Sequence, residues 1–362
     1  MKGMEMRFCA VLLNFCSWGL ISATQSQSDS AGKWNFSMFA DVYLGRNYTV
    51  SENVEQSISE LVSFHRFNEV TLNTGFAVFD YLDSTKRFSA GAGIGTYMQR
   101  NMATEPMGYR NVLQCYGGVK LSHKGSLWLD AGIMPSHIGY ESAISMDQPT
   151  LTRSLVSDFS PYYETGIKLS GLHKNVNFSA LWLNGWQRIW RNSQELGNHV
   201  GVQAQYSPGK FLFNYSGFYG GLGQSNAGTE RFFHDIYVKL VMGRRISLWM
   251  LLDYGTDHVN GNQNSWWGSA AVLRCKLNDR TSISARLEHF SDPYKRIVLS
   301  AVKPAEITGF SINGDFQLTE GVLFRVELKQ LNASEYIFFN ANSTFTQNSL
   351  QGLASIAWKL IK

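Results

Sequence analysis

A chain of 362 residues can hold two soluble domains or one large barrel, and its low charge (17%), 14% aromatics and 33 glycines favour the barrel. A formal charge of +4, with Lys and Arg scattered rather than clustered, excludes a nucleic-acid binder as partner class. No Cys or His spacing suits a metal, and nothing in the sequence implies a cofactor.

The chain opens with a charged start at Lys2 and Arg7. Phe8 to Ile21 follows, apolar but too short and interrupted to remain as a spanning helix. Small residues come next, with Ala23 as the cleavage point. Residues 1–23 therefore read as a signal peptide and residues 24–362 as the mature domain. A lipoprotein leader is excluded, because Asn14-Phe15 before Cys16 is too bulky for a lipidation site. Loss of Lys2, Glu5 and Arg7 lowers the net charge by one. Cys115 and Cys275 remain, each inside a strand pattern and reading as a small apolar side chain.

From Lys33 onward apolar and polar residues alternate. Trp34, Phe36, Met38, Ala40, Val42 and Leu44 point one way, and Asn35, Ser37, Asp41 and Tyr43 the other. A period of two means strands with unlike faces. The pattern predicts sixteen strands, at 33–48, 66–82, 87–100, 110–121, 126–136, 161–171, 176–189 and 198–206 in the first half. Those of the second half are at 210–219, 231–242, 246–257, 265–276, 281–291, 306–317, 322–331 and 348–361.

The connections alternate long and short. Asp83-Ser84-Thr85, His123-Lys124-Gly125, His173-Lys174-Asn175, Ser207-Pro208-Gly209, Gly243-Arg244-Arg245, Asn278-Asp279-Arg280 and Thr319-Glu320-Gly321 are turn chemistry. Residues 49–65, 101–109, 137–160, 190–197, 220–230, 258–264, 292–305 and 332–347 are long and polar. Short periplasmic turns and long outer loops are the mark of a transmembrane β-barrel with both ends in the periplasm. The fold class is therefore all-β, a single antiparallel barrel of about sixteen strands in outer-membrane lipid.

Lipid-facing rows follow from the phase: Leu113, Cys115, Gly117, Val119 and Leu121; Leu127, Leu129, Ala131 and Ile133; Ile246, Leu248, Met250, Leu252 and Tyr254. The opposite rows carry Lys120, Asp130 and Asp253. Trp34, Tyr97, Tyr109, Trp128, Trp182, Trp186, Trp190, Trp266 and Trp267 gather near strand ends, as an interfacial girdle would. High β-propensity of aromatics is the plainer explanation of their number. Strand number matters for function: eight strands are filled by side chains, whereas sixteen leave an aqueous lumen.

Four blocks carry a family resemblance: Leu127-Trp128-Leu129-Asp130-Ala131-Gly132-Ile133-Met134-Pro135-Ser136-His137-Ile138-Gly139-Tyr140-Glu141-Ser142-Ala143, Leu151-Thr152-Arg153-Ser154-Leu155, Ser160-Pro161-Tyr162-Tyr163-Glu164, and Leu183-Asn184-Gly185-Trp186-Gln187. With them the chain resembles the OmpL-like β-barrel porins of Gram-negative bacteria. The resemblance implies an outer-membrane pore and names no solute. The last strand departs from barrel habit. It ends Trp358-Lys359-Leu360-Ile361-Lys362, where an aromatic residue read by the barrel-assembly machinery is usual.

Residues 137–160 form the third outer loop. In general porins that loop folds into the lumen, and Ile138, Tyr140, Ile144, Leu151, Leu155, Val156 and Phe159 suit a segment packed on an inner wall. Glu141, Asp147, Arg153 and Asp158, with Glu164 and Lys168 on the returning strand, are the candidate constriction charges. The competing roles for them are to tie the loop to the wall as buried pairs or to form a specific solute site. Asp130, Arg286, Glu288, Arg325, Glu327 and Lys329 are the other lumen-facing candidates.

Other motifs carry less. Gly91-Ala92-Gly93-Ile94-Gly95 lacks the following helix of a dinucleotide loop, and Gly220-Gly221-Leu222-Gly223 lacks the Lys-Ser/Thr of a phosphate loop. Asn35-Phe36-Ser37, Asn214-Tyr215-Ser216 and Asn342-Ser343-Thr344 are glycosylation patterns without meaning in a bacterium. His289 and Ser291 share a face, which allows an outer-membrane hydrolase as one alternative. A non-conducting barrel that binds through its outer loops is another. The favoured expectation is a non-enzymatic porin for small hydrophilic solutes or ions. A homotrimer is usual for general porins, although no surface patch in the sequence demands one.

Overall fold

The computed structural model describes residues 32–49, 61–122, 125–191, 197–222, 229–259, 261–298, 305–339 and 345–362. The leader and its cleavage at Ala23, part of the first long loop, the His123-Lys124 turn, Gly223 and Asn342-Ser343-Thr344 lie outside the described residues.

The barrel's first strands are β1 (Lys33–Asn47), β2 (Val70–Leu82), β3 (Lys86–Ile94), β4 (Val112–Lys120), β5 (Trp128–Pro135), β6 (Tyr163–His173), β7 (Val176–Leu183) and β8 (His199–Tyr206). They continue as β9 (Phe211–Gly221), β10 (Glu230–Met242), β11 (Ile246–Val259), β12 (Asn262–Lys276), β13 (Thr281–Asp292), β14 (Ala305–Thr319) and β15 (Val322–Ala333). A small hairpin, β16 (Phe338–Phe339) with β17 (Phe345–Thr346), stands apart, and β18 (Asn348–Ile361) returns to the barrel. Each barrel strand pairs with its chain neighbour, and β18 pairs with both β15 and β1, so the cylinder closes on sixteen strands. Ser37 opposes Ile361, and Phe36 and Lys362 exchange backbone hydrogen bonds of 3.0 and 2.9 Å, which leaves no edge.

Alternation decides which side chain meets lipid. Trp34, Phe36, Met38 and Leu44 are exposed on β1, whereas Phe39, Asp41 and Tyr43 are buried inside. Cys115 lies in the exposed row with Val119, and both it and Cys275 are free thiols. Short turns are fixed locally; Asp83 Oδ1, for example, accepts from Thr85 N at 2.7 Å and Lys86 N at 2.8 Å.

Several boundaries differ from the sequence reading. Strand three stops at Ile94, because Gly95 turns the chain at φ 110 into α1 (Thr96–Asn101). A helix therefore does follow the Gly91–Gly95 run, although it is a single short one. Strand two begins at Val70, after Asn68 in a left-handed conformation (φ 61). Strand seven ends at Leu183, where the chain folds back and Asn184 Nδ2 donates to Ile189 O at 2.9 Å. The sixth outer connection is short, because β11 runs to Val259 and β12 starts at Asn262. Polar residues there extend the strands beyond the apolar band instead of forming a loop.

The girdle also needs correction. Trp34, Trp182 and Trp267 do face outward. Tyr97 is buried on α1, Trp266 is 1% exposed, and Trp128 and Trp186 stack under arginines. These rings follow the inward phase of their strands or belong to inward-folded loops, so position near a strand end does not by itself place them in lipid.

Candidate functional site in the lumen

The third loop runs between Pro135 and Tyr163; most of its residues are buried and none is exposed. Ser154 caps the short helix α2 (Leu155–Asp158), its Oγ accepting from Ser157 N at 3.3 Å. Glu141 Oε2 accepts from Ser154 N at 2.7 Å and Ser154 Oγ at 2.8 Å, and so closes the loop on itself. Arg153 has its guanidinium carbon 3.5 Å over the centroid of the Tyr162 ring and donates to Ser157 O at 2.5 Å, with Asp158 3.5 Å away. Asp158 in turn accepts from Ser63 Oγ at 3.0 Å, linking the first loop to the third.

The inward rows of β13–β15 grip this loop. Ser284 Oγ donates to Pro149 O at 2.6 Å, and Arg286 donates to Thr150 Oγ1 at 2.8 Å and Thr152 O at 2.6 Å. Glu327 accepts from Thr152 N at 2.6 Å and Thr152 Oγ1 at 2.8 Å. Glu288 accepts from Leu155 N at 2.8 Å, and Asn313 Oδ1 accepts from Leu151 N at 2.9 Å. The charges are also matched among themselves: Arg286–Glu327 at 3.0 Å, Lys329–Glu288 at 3.3 Å and Arg325–Asp315 at 2.7 Å. Arg286 and Arg325 expose no surface. Such charges are tolerated only because each finds partners in the same layer. Toward the short turns, Lys359 holds Asp147 at 2.8 Å.

On the opposite side His137 lies between Glu164 Oε2 at 2.7 Å and Gly217 O at 2.9 Å. Both ring nitrogens face acceptors, so only the imidazolium satisfies both. Burial alone would lower its pKa, but the Glu164 carboxylate and the Gly217 carbonyl together raise it above the ordinary value. His65, in the first loop, is the reverse case: burial, with Arg100 nearby, lowers its pKa to about 4.

All the sequence candidates therefore point inward, and the structure gathers most of them in one layer. Glu141, Arg153 and Asp158 sit inside the loop, and Arg286, Glu288, Arg325, Glu327 and Lys329 on the wall beneath it. Asp147 reaches β18. Asp130, Glu164 and Lys168 lie away on β5 and β6, where Arg87 clamps Asp130. Sequence reasoning missed Arg87, His137, Arg274, Asn313, Asp315 and Lys359. The same alternation marks most of them as inward, but their roles appear only once strand register pairs them.

Above the charged layer, toward the long loops, the lumen holds an apolar cluster. Leu61 and Phe67 of the first loop, Ile138 and Leu155 of the third, Val298 of the seventh, and Ile337 and Phe338 of the eighth join Phe218, Phe233, Trp266 and Phe290 from the wall. Arg231 is sandwiched between Trp186 at 4.8 Å and Trp266 at 4.5 Å while it clamps Asp257 at 2.8 and 2.9 Å. His289 faces outward; its Nδ1 lies 3.2 Å from Thr308 Oγ1 and its ring 4.7 Å from Trp267. Among the described residues its hydrogen-bond partner is Thr308 and not Ser291.

The model of the family described as Putative beta-barrel porin-2, OmpL-like, matches residues 33–358. No curated protein matches the sequence. Among solved structures, OmpT of Vibrio cholerae in trimer form has a TM-score of 0.59 at 10% identity, covering 91% of this chain and 100% of that one. An anion-selective porin from Comamonas acidovorans gives 0.60 at 8% identity, with 91% and 100% coverage. Salmonella typhi OmpF in complex with daunomycin gives 0.56 at 9%, with 91% and 97%. At such identities the likeness is one of fold alone.

Proposed function

We propose, from the premise that this chain belongs to the Putative beta-barrel porin-2, OmpL-like family and lies in the outer membrane, that it lets small hydrophilic solutes and ions diffuse passively through its lumen. One observation carries the reading: sixteen strands close around polar inward rows, with the third loop folded inside them. No bond is made or broken. The barrel spares a solute the cost of shedding water, and the loop limits its size. Glu141, Asp147, Arg153, Asp158 and Glu164 act mainly by fixing the loop's position, while half-buried Lys168 meets the solute.

In this reading residues 1–23 direct export and are cleaved at Ala23, the assembly machinery inserts residues 24–362, and three copies associate. The trimer form of the Vibrio cholerae neighbour supports that last point. Swelling of proteoliposomes in isotonic sugars of increasing size tests the function. Size-limited swelling is expected, and none even with the smallest sugar would refute it.

A second reading has its own support. The apolar cluster joining loops one, three, seven and eight fits a barrel closed at its outer mouth, which uses the loops to bind. That barrel gives no swelling and loses a binding phenotype when loops are trimmed.

A further inference from the structure

We infer that the short-turn half of the lumen, along β3 to β6, is a docking site for small anions such as carboxylates and phosphates. This rests on the diffusion reading for its biological use but not for its test.

The third loop divides the lumen unequally. It seals the inward faces of β13–β15, where Ser284, Arg286, Asn313, Arg325 and Glu327 are buried beneath it. On β3 to β6 the inward residues nearer the short turns stay half-exposed: Arg87, Tyr116, Lys120, Trp128, Lys168 and Ser170. Water and solutes in that half therefore lie against this wall.

Strand register concentrates positive charge there. Arg87 opposes Gly118, Gly118 opposes Asp130, and Asp130 opposes Lys168, which makes one row across four strands. The next row toward the turns runs from Lys120 through Trp128 to Ser170. Three cations and one carboxylate thus share two adjacent rows. Arg87 consumes the carboxylate, its Nε and Nη2 donating to Asp130 at 2.6 and 2.5 Å, and it also reaches Ser170 Oγ at 3.2 Å. Among the described residues neither Lys120 nor Lys168 forms a direct ion pair. Asp147 is paired with Lys359, and Asp315 with Arg274 and Arg325, while Asp80 on β2, hydrogen-bonded to Ser89, adds one negative charge at the edge of the patch and leaves the cations in excess by one. Two ammonium groups in adjacent rows of one low-dielectric wall, Lys120 on β4 and Lys168 on β6, focus field on a passing anion.

Trp128 supplies a reporter, since its ring is 4.6 Å from the Arg87 guanidinium. The test is quenching of the fluorescence lost in Trp128→Phe, by iodide and by caesium, in refolded full-length mature protein at low salt. With each ion's quenching expressed relative to its quenching of free N-acetyltryptophanamide, iodide should quench at least about threefold more strongly than caesium, and the gap should shrink at high ionic strength. Lys120→Gln with Lys168→Gln should remove most of the difference, and Lys120→Arg with Lys168→Arg should keep it. Equal quenching by the two ions, or an iodide preference that survives the glutamine pair, overturns the site. The measurement needs no open pore. An iodide preference in a protein that fails to swell liposomes would sustain the anion site while removing the diffusion role.

Discussion

Glu327 gathers two hydrogen bonds from Thr152 and an ion pair with Arg286, all without contact with water. Its value lies in matching a charge that is already buried, so its loss is felt as an orphaned arginine. Glu327→Ala should cost about 3–5 kcal/mol, read by urea unfolding in detergent micelles. A loss near zero would mean that water already reaches Arg286. Gly118 is constrained differently. A Cβ there would run into the Asp130 carboxylate, where Arg87 crosses the strand. Gly118→Ala should therefore destabilise by about 1–3 kcal/mol and loosen the Arg87 clamp; unchanged stability and unchanged iodide quenching of Trp128 would show the clamp to be irrelevant. The sequence exposes Glu327 as inward by simple phase with Arg325 and Lys329. It could not reveal Gly118, whose importance comes from neighbours on two other strands.

The inward-folded loops answer pH in opposite directions. His65 is docked in its neutral form, so its segment is held fully above about pH 6.5, the ordinary value, and weakens as pH falls toward about 4. His137 is docked as the imidazolium beside Glu164. Its contribution is complete below about 6.5 and is lost as pH rises through its raised value. Hydrogen exchange, corrected for intrinsic rates, should show residues 61–68 opening on acidification and residues 136–141 opening on alkalinisation. His65→Phe should abolish the acid limb alone. Uniform protection from pH 4 to 9 would contradict both assignments. The inward folding of the third loop was legible from its apolar residues, Ile138, Leu151 and Leu155 among them. That the first, seventh and eighth loops share its core was not, because their contacts are with one another and leave no periodic trace. Strand lengths failed for a related reason at Ile94 and Leu183, where tertiary packing overrides an alternation that runs on in the sequence.

As a whole the molecule is a cylinder whose outside and inside were both written into one period of two, and whose strand count followed from turn chemistry. What alternation cannot encode is how far the lumen is filled. Depth of filling depends on which inward rows meet a loop, as β13–β15 do, and which stay partly exposed, as β3–β6 do near the short turns. Replacing residues 138–159 by a short Gly-Ser linker should raise single-channel conductance about twofold or more, since the narrowing segment is gone. An unchanged conductance would place the constriction elsewhere. Planar-bilayer recording of the refolded native chain decides whether this cylinder conducts at all. Discrete conductance steps are expected under an applied voltage, with a reversal potential toward anions in a salt gradient. A barrel that inserts yet stays electrically silent, and remains so after the third loop is removed, would contradict the account.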